Sequence, residues 1–198
     1  MFIGIEAEAT LRKIVADPTG LSPAEQEIVW QKSSKTEQWI TLLDVAFKHH
    51  YDDGSIPSWT AGNLTPDIQA RHKSLVDLVN NNLKPVTERR NKLAHGQWVW
   101  LLKSRQDNKF ILGDRQDPPP DYVTLRELAR AIQSLAEIVS ILTVSRPAFE
   151  RDFEKHYRKF EYARDQIEQN QSGAVYEKFV SDLCSTTLRS RTDNAEKL

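Results

Sequence analysis

The stretch TLRELARAIQSLAEIVSIL, residues 124–142, has the pattern of one long amphipathic helix. Leu125, Leu128, Ile132, Leu135, Val139 and Leu142 recur at alternating spacings of three and four, the period of an α-helix with one buried face. Ala131, Ile138 and Ile141 stand beside that stripe and widen it, which predicts a helix packed on more than one side and central to the molecule. Its start is predicted at Thr124, because Thr124 and Glu127 have the spacing of a capping box, in which each side chain bonds the other residue's backbone N–H.

The same signals recur along the chain. Ser22-Pro23-Ala24-Glu25 and Ser34-Lys35-Thr36-Glu37 are further capping boxes, the first with Pro at the opening helical position, and Thr65-Pro66-Asp67 marks a fourth start. Trp39, Leu42, Leu43, Ala46 and Phe47 form one apolar stripe; Ile68, Leu75, Val79, Leu83 and Val86 form another. Phe149, Phe153, Tyr157, Phe160 and Ile167 mark a later helix, and Tyr176, Phe179, Val180 and Leu183 a last one. Each stripe needs a neighbour to cover it, so the predicted class is all-α, a helical bundle.

GSIPSWTAGN (54–63) and DRQDPPPDY (114–122) read as loops, the second stiffened by Pro118, Pro119 and Pro120. One strand pair is predicted. Trp98, Trp100 and Leu102 alternate with Val99, Leu101 and Lys103; Arg105–Asn108 can turn, and Lys109–Leu112 can return as a small β-hairpin. No internal repeat or second domain is evident: residues 1–190 read as a single helical domain and 191–198 as a frayed tail.

Composition narrows the function. The 198 residues suffice for a sizeable core, and the lone Cys184 permits no intrachain disulfide, which suits a reducing, cytoplasmic compartment. Lys plus Arg is 27 against Asp plus Glu 28, a formal charge of -1, so any contact with nucleic acid must come from a local patch. MFIGIEAEATLRK lacks the features of a signal peptide, and no apolar run is long enough to span a bilayer, so no membrane association is expected. No cofactor motif stands out. His49-His50-Tyr51-Asp52-Asp53 supplies metal-binding residue types but too few to define a geometry, and no metal is expected there.

The functional signal is ERRNKLAHGQW, residues 88–98. Leu83, Val86, Arg90 and Leu93 are three, four and three residues apart, so Arg90 falls on the face its neighbours bury. A guanidinium there needs a partner, either a carboxylate on another helix or a phosphate that arrives with substrate. His95 stands where Gly96 should end the helix, at the negative pole of the macrodipole, which favours imidazolium. It is either a helix-terminal cation or a group able to take and give a proton. Asn91, four residues earlier on the same face, can hold the ring or meet substrate. Arg151 and His156 share the Arg–His spacing, but Arg151 lies between charged neighbours with no helix stop behind it.

Arg90-Asn91-Lys92-Leu93-Ala94-His95 resembles the motif of the HEPN superfamily, an Arg, then a polar residue, then a His at the end of a core helix. The resemblance covers about residues 23–145 and leaves additional helices over 147–190 unexplained. It implies an up-and-down helical bundle whose motifs meet in a homodimer to form a composite site. It also implies a metal-independent endoribonuclease in which the ribose 2′-OH attacks the adjacent phosphorus and leaves a 2′,3′-cyclic phosphate. His95 would then be the general acid or base, Arg90 would stabilise the charge of the transition state, and Asn91 would position either group. Arg89 and Lys92 would hold flanking phosphates of the RNA. A toxin or phage-defence role, with an antitoxin or defence-system partner, is implied by the family alone. Where HEPN toxins that are silenced by nucleotidylation commonly carry Tyr two residues past the His, this chain has Gln97, which puts that route in doubt. The competing reading is a non-catalytic HEPN-like module that binds a protein or nucleotide and uses Arg90 structurally. Trp98 and Trp100, on the predicted strand, can stack on bases, but packing against the bundle or a dimer mate is the commoner use of Trp and the one expected here.

Overall fold

The computed structural model describes residues 2–52, 60–94, 100–106, 109–115, 121–170 and 176–182. They are mostly helical. In chain order come α1 (Phe2–Val15), α2 (Pro23–Trp30), α3 (Lys35–Tyr51), α4 (Pro66–Leu78), α5 (Lys84–Ala94), strands β1 (Trp100–Gln106) and β2 (Lys109–Arg115), α6 (Tyr122–Val144) and α7 (Arg146–Gln169). Residues 176–182 are helical as well. No helix among the described residues is long and apolar enough to cross a membrane.

The local start signals at α2 and α3 operate as the sequence indicates. Ser22 and Glu25 bond reciprocally, as do Ser34 and Glu37, so two otherwise orphaned N–H groups are satisfied at each end. At α6 the expected start needs correction. Asp121 is the cap, accepting from the Thr124 N–H at 2.8 Å, so Thr124 lies inside the first turn and its box with Glu127 does not form. The predicted stripe is buried at Ile132, Leu135, Val139 and Leu142, whereas in the first turns Val123 and Glu127 are buried and Leu125 is 37% exposed.

Glu127 takes an inward position because it is paired there. Its side chain is 1% exposed, and it accepts from Arg126 Nε at 2.8 Å and from Arg130 Nη1 at 2.9 Å. The carboxylate is thus out of water but not unpartnered, which is what makes the burial tolerable. The width of the α6 stripe does predict its place: α6 packs on α7, α1 and α3.

The N-terminal segment forms α1, a helix that no start signal or strong apolar stripe announces. Ala7, Leu11, Ile14 and Val15 are buried in the same apolar cluster as Phe47, Leu135 and Phe160. Between α4 and α5 the chain does not break but widens into a π-helical turn, Val79–Leu83, with the Lys84 N–H bonded to the Val79 carbonyl. Pro85 follows and has no N–H to continue the α pattern, which gives the turn a local cause.

β1 and β2 pair antiparallel, Trp100 opposite Arg115 and Gln106 opposite Lys109, with register shifts between. Residues 107 and 108 lie outside the described residues, as do Trp98 and Val99, most of both predicted loops, Leu183, Cys184 and the 191–198 tail. The end of α7 is clasped to the start of α6 by Asn170, 4% exposed. Its Nδ2 donates to Asp121 Oδ2 at 2.7 Å and Thr124 Oγ1 at 2.8 Å, while its Oδ1 accepts from the Tyr176 N–H at 2.9 Å.

Candidate functional site

α5 carries Arg90 and Asn91. Its helix continues from α4 through the π turn, so the widened turn sets the face that Arg90 occupies. Val86 and Arg90 are half-buried, Asn91 is exposed, and Arg89 and Lys92 are half-buried. The side chain of Arg90 is 33% exposed.

Its seat is made by α1. An added Cβ on Gly4 would stand 3.0 Å from Arg90 Cβ and 3.2 Å from Cγ, so the absence of a side chain at Gly4 lets the arginine stem lie against the α1 backbone. The head then meets two groups. Nη1 donates to Asn91 Oδ1 at 2.9 Å, and Nη2 donates to Glu8 Oε2 at 3.4 Å. The carboxylate partner that a half-buried arginine demands is thus Glu8, one turn along α1 from Gly4.

Glu8 is not Arg90's alone. Arg12 Nη2 is 3.1 Å and Lys35 Nζ 3.5 Å from its Oε1, so one carboxylate is divided among three cations. Partial burial opposes its ionised form, but the hydrogen bond from Arg12 and the charges of Lys35 and Arg90 prevail and hold its pKa below the ordinary value. The local sum is positive. A guanidinium has five N–H donors, and the bonds to Asn91 and Glu8 use two, so the arrangement retains capacity for an anion.

Of the residues singled out in the sequence, the structure brings Arg90 and Asn91 together. His95, with Gly96, Gln97 and Trp98, lies outside the described residues. His49 is 2.9 Å from Glu25 through Nδ1, and burial together with the nearby His49 holds the His50 pKa below its ordinary value. Among the described residues no group of three or more His, Cys, Asp or Glu side chains is placed to hold a metal ion.

Two further imidazole–carboxylate pairs are invisible in the sequence. His72 Nε2 is 2.7 Å from Asp44 Oδ1, with the ring edge-on to Phe47, and His156 Nδ1 is 2.8 Å from Glu137 Oε2. Each joins two helices. Spacing within one helix carries no trace of such pairs, since His72 and Asp44 are 28 residues apart and belong to different stripes.

No protein-family model matches this sequence, and no curated protein or solved structure matches it either.

Proposed function

We propose that the protein is a metal-independent endoribonuclease of HEPN type, a helical bundle with a hairpin after the motif helix that works as a cytoplasmic homodimer with a composite site. The observation that carries this reading is the Arg90–Asn91 pair, seated on Gly4 and sharing Glu8 with two other cations. A fixed guanidinium with spare donors suits the extra negative charge of a phosphorane-like transition state. His95, by its place in the motif, moves the proton: as base it takes it from the 2′-OH, and as acid it returns one to the leaving 5′-oxygen. The nucleophile belongs to the RNA, so the reaction needs no metal. Arg89 and Lys92 hold flanking phosphates. A toxin or antiviral effector controlled by an antitoxin or defence partner is the setting we favour, on family analogy.

The Glu8–Arg90 ion pair favours a second reading, a non-catalytic module in which Arg90 fastens α5 to α1. Arg90→Ala and Glu8→Gln separate the two. A purely structural Arg90 loses stability in Arg90→Ala, Glu8→Gln loses at least as much because it also releases Arg12 and Lys35, and the double variant loses less than the sum of the two. A catalytic Arg90 instead loses RNA cleavage in Arg90→Ala while Glu8→Gln remains active, measured on a folded protein with total RNA as substrate.

A further inference from the structure

A groove of about 480 Å³ runs between α6 and α7, and none of its lining residues belongs to α5. Arg130, Lys155, Arg158 and Lys159 line it with Tyr162, and Glu137 is its one acidic lining residue. Lys155, Arg158, Lys159 and Tyr162 stand at i, i+3, i+4 and i+7, one continuous face of α7, and all four are exposed.

Among the described residues, two of the four cations are ion-paired and two are not. Glu137 is held by His156 Nδ1 at 2.8 Å and Lys159 Nζ at 3.6 Å, and Arg130 is committed to the buried Glu127. Among the described residues no ion pair engages Lys155 or Arg158. Tyr162 is 62% exposed and stacks on no described ring. A chain with a net charge of -1 therefore concentrates cations and an open aromatic face in one groove. From Lys155 to Tyr162 the helix rises about 10 Å, enough for about three stacked nucleotides.

We propose that this groove binds single-stranded nucleic acid, with Lys155, Arg158 and Lys159 on its phosphates and Tyr162 stacked on a base. Phosphates match the unpaired Lys155 and Arg158 with Lys159 beside them, and the exposed ring supplies the sequence-tolerant stacking that single strands offer and duplexes withhold. The inference does not rest on the ribonuclease reading, because strand binding needs neither Arg90 nor His95.

The test is fluorescence anisotropy with a labelled oligothymidylate, which has no 2′-OH and so survives the cleavage chemistry proposed above. The wild type should bind at low salt. Lys155→Gln/Arg158→Gln should weaken binding at least about tenfold and flatten the salt dependence of log K by about 1.4, at about 0.7 for each phosphate no longer neutralised. Tyr162→Leu should weaken it about tenfold with the salt dependence kept. If the double variant melts below the wild type, Arg158→Lys, which retains the charge, should bind nearly as the wild type does. Absence of binding, affinity unchanged in the glutamine variant, no effect of Tyr162→Leu, or equal affinity for a duplex or for polyglutamate would each overturn the proposal.

Discussion

Gly4 sits where a methyl group would press on the stem of Arg90. A Cβ at 3.0 Å from Arg90 Cβ forces either the stem or α1 to move. Gly4→Ala removes a helix-weakening glycine, a gain of up to about 1 kcal/mol, but adds overpacking of about 1–3 kcal/mol, so the net expectation is a loss of about 1 kcal/mol. Thermal melting reads that loss, and an unchanged or raised melting temperature would show that α1 does not press on Arg90. At the same scale, how much of the site the sequence displays becomes clear. The need for a partner at Arg90 is legible, because a cation interrupts an apolar stripe. The identity of that partner is not, since Glu8 is 82 residues away on another helix and no spacing within one helix links the two.

At the scale of elements, helix ends are readable where the cap and its partner are close in sequence, as at Ser22 and Ser34. At α6 the cap is Asp121, three residues before the Thr124 start that the sequence suggests, and Asp121 also receives Asn170 from the far end of α7. That clasp carries a prediction. Asn170→Ala leaves Asp121, Thr124 and the Tyr176 N–H short of partners and should cost about 2–3 kcal/mol, seen as a lower urea midpoint, whereas Tyr176→Phe should change little through this clasp. The π turn is the other hidden feature. Leu75, Val79 and Leu83 step by four twice, which drifts round an α-helix but holds one face when the turn widens; Pro85 behind them is the second clue. Pro85→Ala lets an α-helical bond form at that point and should rotate Arg90 relative to Glu8, lowering any activity of the motif more than it lowers stability.

The molecule as a whole should lose stability in acid in two windows. The His50 pKa is depressed by burial and by His49, against an opposing pull from the backbone of Thr143 and Leu142. A depressed folded value means that its contribution is complete above the unfolded imidazole value of about 6.5 and is lost as pH falls through the lower folded value. Glu8, Glu25 and Glu150 are also depressed: Glu8 and Glu25 against the pull of burial, through hydrogen bonds and neighbouring cations, and Glu150 chiefly by its hydrogen bond from Arg146. Their contribution is complete above about pH 4.5 and falls away below it. Melting temperature between pH 7 and pH 5 should decline for the wild type and stay flatter in His50→Gln; identical slopes would remove His50 from the account.

Catalysis by Arg90 and His95 is read directly as RNA cleavage. Wild type, Arg90→Ala and His95→Ala are incubated with total RNA and tRNA in EDTA, and the fragment ends are mapped. Cleavage is expected of the wild type alone, with 2′,3′-cyclic phosphate ends and with the two variants folded and dimeric. Cleavage that persists in His95→Ala, or none by a folded wild-type dimer, would contradict that expectation.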